Sequence, residues 1–170
     1  MRPLVILGSA RPDGETRRAL DIALPHNENL VVLARKHVVG YDYAHANADD
    51  DFQPIIDAML AHDRIVFATP VYWYAMSAPL KIFFDRLSDL TETAKPKGRA
   101  LAGKKIWVIA SGTDEMLPEG FEVPFRRTTE YFAMDYRGCA YLYTGTDAAM
   151  RAGSEAALAN FGANILSTAS

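Results

Sequence analysis

The chain contains four short runs of consecutive apolar residues, each ending at small or turn-forming residues: 4–7, 30–33, 65–68 and 106–110. Strands that are covered on both faces of a parallel sheet have this continuous pattern, without alternation of apolar and polar positions. A fifth run, 139–143, follows Gly138 and is rich in the aromatic residues that favour strands. The pattern therefore predicts five strands of a parallel sheet.

Segments with helical spacing of apolar residues lie between and after these runs: 14–24, 52–62, 77–90, 119–134 and 154–166. The aspartates 49–51 are interpreted as a solvated helix start that caps the second helix. Ser77 and Pro79 mark the start of the third helix, and Pro124 interrupts the fourth. Segment 91–103 is expected to be a long polar surface loop, and its excess of Lys and Arg over acidic residues marks a solvated face.

Alternating strands and helices joined by short connections predict a three-layer α/β sandwich with right-handed crossovers. Five strands suggest the doubly wound order 2-1-3-4-5. The 170 residues, 49% of them apolar, are enough for one well-buried core, so we expect a single domain over 1–170. Ligands of such sheets bind beyond the carboxyl ends of the strands, where the winding reverses. The candidate site residues are therefore those that follow strands 1, 3 and 4.

Composition and charge exclude several classes of function. The net charge is −3, with 18 basic and 21 acidic residues, so the chain has no overall cationic field to attract nucleic acid. The longest strongly apolar stretch, 65–76, is too short to cross a bilayer of about 30 Å. The N-terminal segment lacks the apolar region of a secretory signal, so we expect a cytoplasmic protein. The four histidines are scattered and Cys139 is the only cysteine, so neither a metal site nor a disulfide is expected.

The segment after the first strand, Gly8 to Thr16, is suited to a phosphate group. Ser9 and Thr16 offer hydroxyl donors and Arg11 offers a fixed positive charge. The N–H groups around Glu15 and Thr16 begin a helix, where an anion is favoured. The alternative is a plain turn in which Ser9 and Thr16 cap the helix and Arg11 is solvated. The segment is neither a Walker loop nor a three-glycine dinucleotide fingerprint.

Three consecutive aromatic residues, Tyr72, Trp73 and Tyr74, stand in the segment after the third strand. Such surface is normally buried, so it suggests the wall of a pocket for a flat conjugated ring. Alternatively, a tyrosine folds into the core and Trp73 packs on a neighbouring subunit. The segment after the fourth strand, Ser111-Gly112-Thr113, allows a ring to approach the backbone closely; taken alone, it reads as a tight turn.

The combined motifs resemble the flavodoxin-like NAD(P)H-dependent FMN reductases. The resemblance is carried by Gly8-Ser9-x-Arg11-x-x-Gly14-x-Thr16, by Thr69-Pro70-Val71-Tyr72-Trp73-Tyr74-x-Met76-Ser77-x-x-x-Lys81 and by Phe84-Asp85-Arg86-Leu87, and it extends to about residue 113. It implies a flavodoxin-like fold with bound FMN and with NADPH or NADH as co-substrate. Some relatives hold an iron–sulfur centre in the segment after the second strand. The corresponding residues 38–47 contain no cysteine, which excludes such a centre here.

The resemblance also assigns residues to the parts of FMN. Ser9, Arg11, Glu15 (through its backbone) and Thr16 would hold the phosphate. The isoalloxazine ring would be bordered by Pro70, Val71, Tyr72, Trp73 and Tyr74 on one side and by Ser111, Gly112 and Thr113 on the other. No catalytic acid–base pair is required, since the flavin carries the hydride chemistry.

Two classes of function remain. The first is an oxidoreductase that passes hydride from a nicotinamide through FMN to a small oxidant such as a quinone, with ping-pong kinetics. The second is a flavodoxin-type electron carrier, and a weaker third reading is a flavin-free interaction module. The low net charge offers little steering toward a large redox partner, which favours the reductase. Trp73, Tyr74 and the apolar side of helix 77–90 predict a homodimer or higher homo-oligomer.

Overall fold

A computed structural model of the protein describes residues 2–47 and 49–167. Its sheet is formed by six strands: β1 (Leu4–Leu7), β2 (Leu30–Val32), β3 (Arg64–Tyr72), β4 (Ala75–Met76), β5 (Lys105–Gly112) and β6 (Asp135–Tyr143). The parallel strands have the order β2-β1-β3-β5-β6, which confirms the predicted flavodoxin-like order 2-1-3-4-5. The short strand β4, which was not predicted, pairs antiparallel with β3. It forms a hairpin at the carboxyl end of β3.

Seven helices are present in the described residues: α1 (Glu15–Ala23), α2 (Phe52–Leu60), α3 (Ala78–Arg86), α4 (Asp89–Glu92), α5 (Lys95–Ala100), α6 (Val123–Tyr131) and α7 (Ala148–Ser167). A single 3₁₀ turn, Leu33–Arg35, follows β2. The predicted helix 77–90 is divided, because α3 ends at Arg86 and α4 begins at Asp89. The last helix begins at Ala148, earlier than predicted.

The expected loop over 91–103 is wrong, because this segment contains α5. Pro96 stands in the first turn of α5, where its missing N–H costs nothing. Gly98 lets the helix lie against α4, since a Cβ on Gly98 would be 2.5 Å from the carbonyl oxygen of Leu90. Pro124 likewise stands in the first turn of α6 and starts that helix, whereas the sequence had suggested an interruption.

Alternate residues of each central strand face opposite layers, which explains the continuous apolar runs. Leu4 and Ile6 of β1 pack with α2 and α3, in one core cluster. Val5 and Leu7 pack with α1 and α7, in a second cluster on the other face. Trp107 of β5 is 3% exposed in this second cluster, as expected for a core residue. The sheet is therefore covered on both faces.

A close contact between the first and last helices completes the second cluster. A Cβ on Gly162 of α7 would lie 1.8 Å from the carbonyl oxygen of Ala23, at the end of α1. No other residue type fits at position 162 without moving one helix. Contact with α7 thus fixes the position of α1.

A buried ion network lies at the end of α3, and it corrects the interpretation of Asp50 as solvated, whereas Asp49 is exposed as expected. Arg86 is 1% exposed and forms ion pairs with Asp50 and Asp89, with an Nε to Oδ2 distance of 2.8 Å for Asp89. The guanidinium also donates to the carbonyl oxygen of Val39, at 3.1 Å, and lies 4.7 Å from the ring centroid of Phe52. Segment 38–47 is therefore held to the body of the protein by Arg86.

The same network continues to the surface through His45. Its Nδ1 is 3.2 Å from a carboxylate oxygen of Asp89, and its Nε2 is 3.2 Å from one of Glu92. The Tyr41 ring contacts the imidazole edge to face, with centroids 5.9 Å apart. The polar and aromatic residues of segment 38–47 thus serve a structural purpose in this chain.

Candidate functional site

The loop between β1 and α1 begins in close contact with α3. A Cβ on Gly8 would lie 2.6 Å from Cβ of Leu80, so only glycine allows this approach. The Gly8 N–H donates to the carbonyl oxygen of Ala68 at 2.7 Å, and the Ser77 hydroxyl donates to the carbonyl oxygen of Gly8. These contacts fix the loop at the carboxyl edge of the sheet.

The start of α1 presents free hydrogen-bond donors. Gly14 occupies the N-cap position and no side chain caps the helix, so the alternative in which Ser9 and Thr16 cap it is wrong. The first N–H groups of a helix have no intrahelical partner and favour an anion. The Glu15 carboxylate pairs with Arg18 at 3.2 Å. Glu15 can therefore offer its backbone N–H group to a ligand at this end of α1.

Hydroxyl and guanidinium groups surround this helix end. Ser9 is buried, and its Oγ accepts a hydrogen bond from the Arg11 N–H at 3.1 Å, which shapes the turn. The Arg11 side chain is exposed and forms no ion pair within residues 2–47 and 49–167. Thr16 is 2% exposed, with its hydroxyl at the inner end of the cleft. A positive charge, hydroxyls and backbone N–H groups therefore converge on one point.

The Thr16 hydroxyl also connects α1 to β5. Its Oγ1 lies 2.8 Å from Oγ of Ser111, and both residues are buried. The two hydroxyls together carry two protons and use one for the bond between them, so one proton remains for a ligand. Sequence reasoning placed Thr16 and Ser111 in separate parts of the site, and it missed this contact between them.

The aromatic segment after β3 forms the β3–β4 hairpin. Tyr72 pairs with Ala75, and the two-residue turn consists of Trp73 and Tyr74 with φ angles of 48° and 66°. Two left-handed residues define a type I′ turn, which normally contains Asn and Gly. Trp73 and Tyr74 are 92% and 67% exposed, on the tip of the hairpin. The predicted wall is therefore made by Tyr72, with its two neighbours projecting beyond it.

The opposite wall is formed by the end of β5. A Cβ on Gly112 would lie 2.7 Å from the Tyr141 hydroxyl oxygen, so glycine keeps this wall close to β6. The Tyr141 hydroxyl donates to the carbonyl oxygen of Asp114 at 2.9 Å, which fastens the loop that follows Thr113. Burial raises the pKa of Tyr141 to about 12, so the donating proton is retained across the physiological range.

The three segments enclose one cleft of about 310 Å³, a size that is typical of small-molecule sites. Ten of the twelve predicted residues line it: Ser9, Arg11, Glu15, Thr16, Pro70, Val71, Tyr72, Ser111, Gly112 and Thr113. The structure adds Gly14 and Thr144, and it places Trp73 and Tyr74 outside the lining. Thr144 follows β6 and its N–H donates to the carbonyl oxygen of Gly112 at 2.8 Å. Its position after a strand end was the signal that sequence reasoning overlooked.

The donor set of the cleft fits FMN. One end offers Arg11, buried hydroxyls and uncapped N–H groups, which suit a phosphate dianion. The other end offers the side chain of Tyr72 and the close backbone at Gly112, between which a flat ring can lie. Within the described ranges no group of histidine, cysteine and acidic residues is arranged to hold a metal ion. Among the same residues no helix is long and apolar enough to span a membrane.

Comparison with known proteins agrees with this geometry. The family model for NADPH-dependent FMN reductases matches residues 1–117. YwqN of Bacillus subtilis strain 168, a candidate NAD(P)H-dependent FMN-containing oxidoreductase, is 29% identical over 149 residues, covering 81% of this chain and 82% of YwqN. An FMN-dependent NADH:quinone oxidoreductase of Burkholderia thailandensis is 30% identical over 122 residues, covering 67% of this chain and 61% of that enzyme.

Solved structures share the fold over almost the whole chain. The Trp repressor binding protein of Bacillus subtilis superposes with a TM-score of 0.75 at 22% identity, covering 99% of both chains. General stress protein 14 of Treponema denticola, solved in complex with FMN, has a TM-score of 0.67 at 22% identity and covers 97% of this chain and 98% of that one. Because the family model matches more than half of this chain, the chain belongs to the NADPH-dependent FMN reductase family and is an NAD(P)H-dependent oxidoreductase.

Proposed function

We propose that the protein transfers hydride from NADPH or NADH to a small oxidant such as a quinone, with FMN bound in the cleft. The observation that carries the proposal is the pairing, in one cleft, of an anion-binding helix end with a narrow slot beside Tyr72 and Gly112. The quinone is supported by the name of the Burkholderia relative, at 30% identity. We further propose that residues 1–170 act as a single FMN-binding domain.

The residues around the start of α1 would hold the FMN phosphate. Arg11 supplies the positive charge, and Ser9 and Thr16 supply hydroxyls. The backbone N–H groups at Glu15 and Thr16 supply oriented donors together with the positive end of the helix dipole. The hydroxyls of Ser111 and Thr16 bond to each other at 2.8 Å, so one hydroxyl proton of the pair is left for the ligand.

The strand ends would border the isoalloxazine ring. Pro70, Val71 and Tyr72 face it from β3, and Ser111, Gly112 and Thr113 face it from β5. Trp73 and Tyr74 extend the β3 side beyond the cleft, as a flat and exposed apolar surface. When bound, FMN supplies the hydride chemistry, and the protein positions the ring and selects what stacks on it.

The open face of the cleft accounts for the proposed kinetics. The lining on the β3 side ends at Tyr72, which is 55% exposed, so a second planar molecule can lie beside the site. The nicotinamide and the oxidant would use this same face in turn, which predicts ping-pong kinetics.

We also propose that the hairpin tip packs on a second copy of the chain in a homodimer. Trp73 at 92% exposure and Tyr74 at 67% give an unusually large aromatic surface at one point. Burial of two aromatic side chains would offset the strained φ angles of the turn. Sedimentation at micromolar concentration tests this, and a clean monomer would contradict the proposal.

Anaerobic half-reactions test the activity itself. FMN-loaded protein is mixed with NADPH or NADH while the flavin absorbance is followed, and a quinone is then added. We expect bleaching within minutes and return of the colour. If neither nicotinamide bleaches the flavin whereas a partner reductase does, the electron-carrier alternative replaces the reductase.

Affinity measurements test the phosphate site separately. Arg11→Ala should weaken FMN binding roughly ten- to hundredfold, since a charge-assisted hydrogen bond is worth about 1.5–3 kcal/mol. Thr16→Ala should cost less, because it removes a neutral donor. Arg17→Ala is a matched control, since Arg17 lies on α1, is not part of the cleft lining and pairs with Asp21 at 2.9 Å. Unchanged affinity of Arg11→Ala would show that the phosphate is bound elsewhere.

A further inference from the structure

A second concave surface lies away from the cleft, between α5 and the end of α6. It consists of two adjoining cavities of about 400 and 380 Å³, which share Thr91, Tyr131 and Phe132 in their linings. We call it the α5–α6 groove. None of the residues that line the FMN cleft lines this groove. Its volume is in the range of small-molecule sites.

The groove is lined by unpaired positive charge. Lys95 and Arg99 are four residues apart on α5, and both line the first cavity. Residues with this spacing are neighbours on a helix, and like charges there repel each other. Neither side chain has an ion pair or hydrogen bond within the part of the chain that the structure describes. Lys97, between them, points away and forms an ion pair with Asp57.

Among the residues that the structure describes, no acidic one lines either cavity, although the chain as a whole has a net charge of −3. The remaining cation, Arg127, lines the second cavity and is paired with Glu130 at 2.9 Å. The uncompensated charge is therefore concentrated at Lys95 and Arg99. A ligand that complements this part of the groove is an anion.

Aromatic and apolar side chains form the rest of the lining. Tyr131 is 71% exposed, and its ring meets that of Phe132 edge to face, with centroids 5.2 Å apart. Leu90 lines the first cavity and Leu87 the second. The exposed Tyr131 ring, which lines both cavities, favours contact with another flat ring. The groove thus offers an exposed aromatic ring next to two cations.

We infer that the α5–α6 groove binds a small aromatic anion, with its ring against Tyr131 and Phe132 and its acidic group at Lys95 and Arg99. The inference is independent of the proposed redox reaction, because it uses none of the residues of the FMN cleft. It assigns a role to Lys95 and Arg99 of segment 91–103, whose charge the flavin site does not use.

Calorimetric titration of the FMN-loaded protein with 2-naphthalenesulfonate tests the inference. We expect saturable binding at one site per chain. The neutral 2-naphthol and the ring-free methanesulfonate should each bind more weakly, since the first lacks the anionic group and the second lacks the aromatic ring. In amide NMR spectra, the largest shifts should be at Thr91, Gly98 and Ala133, which line the groove.

Variants on α5 provide the controls. Lys95→Ala and Arg99→Ala should each weaken binding about two- to fivefold, as expected for exposed charges, and the double variant about tenfold. Lys97→Ala, on the other side of the same helix, should bind as the parent does. Because the double variant removes a repulsion, its melting temperature should not fall. Equal binding by the parent and the double variant would overturn the inference, as would self-association through the groove that Tyr131→Ala abolishes.

Discussion

Substitution of Arg86 by methionine isolates the contribution of the buried ion network. Methionine keeps an unbranched side chain of similar reach, so the cavity left in the protein is small. It removes the charge that faces Asp50 and Asp89, and these carboxylates have side-chain exposures of 3% and 6%. The variant therefore leaves two buried carboxylates without their cation.

The cost of this change is large. Breaking a buried ion pair by removal of one partner typically costs about 3–5 kcal/mol. The variant also loses the hydrogen bond to the carbonyl oxygen of Val39, which ties down segment 38–47. For a domain of this size each kcal/mol lowers the melting temperature by about 2–4 °C, so a decrease of roughly 6–20 °C is expected.

The loss of stability in the variant should depend on pH, in a direction that follows from the pKa of Asp50. Burial by itself would raise the pKa of Asp50, but hydrogen bonds from Arg86 and from the N–H groups of Phe52 and Val39 hold this pKa below its usual value. In the parent protein this stabilisation is therefore present above the ordinary aspartate pKa of about 3.9 and is lost as the pH falls through the folded-state pKa. Without Arg86, burial dominates and the pKa rises, so the variant gains stability relative to the parent as the pH falls from 7 to 5.

Urea denaturation of the parent and of Arg86→Met at pH 7 and pH 5 measures both effects. We expect the difference in unfolding free energy to be larger at pH 7 than at pH 5. The triple variant Arg86→Met, Asp50→Asn and Asp89→Asn removes the buried charges together and should recover part of the loss at pH 7. A difference that grows on acidification, or that is absent at pH 7, would refute the reasoning.

Three further variants test other features. The double variant Trp73→Asn, Tyr74→Gly should raise the unfolding free energy of the isolated chain by about 1–2 kcal/mol, because Asn-Gly suits a type I′ turn, and should weaken self-association; melting curves and sedimentation measure the two effects. Gly112→Ala should weaken FMN binding about tenfold in fluorescence titrations, since its Cβ would lie 2.7 Å from the Tyr141 hydroxyl. Lys104→Met removes a buried ammonium that donates to the backbone carbonyls of Leu60 and His62 at the end of α2, each at 2.8 Å, so the unfolding free energy in urea should fall by about 1–3 kcal/mol.

The parallel sheet was predictable because buried strands have a recognisable pattern in short stretches of the sequence. A strand that is covered on both faces must be apolar at every position, as 4–7 and 106–110 are. The ends of these strands then indicate the ligand edge, and the resemblance to the FMN reductases assigned individual residues to the site there. Turn and helix details were less accessible. The sequence Trp73-Tyr74 contains no glycine or asparagine to signal a turn, and the proline and glycine of α5 look like loop residues.

Contacts between distant segments escaped prediction for a different reason. Thr16 and Ser111 are 95 residues apart, and no spacing rule relates two hydroxyls across that distance. Arg86 and Asp50 are 36 residues apart and meet only after α3 has packed beside the start of α2. Side chains of this kind can be paired only when the three-dimensional arrangement is known.

The contact between Gly162 and Ala23 has a consequence for the order of events during synthesis. Every residue that lines the cleft has been translated once Thr144 is added, whereas α7, which packs against α1, is translated afterwards. Until α7 leaves the ribosome, Leu20 and Ala23 keep an uncovered apolar face, which a nascent chain must protect from aggregation. Chains that stop before residue 148 would therefore contain every residue of the cleft lining but would lack the helix that packs against α1, so the packing of α1 depends on α7.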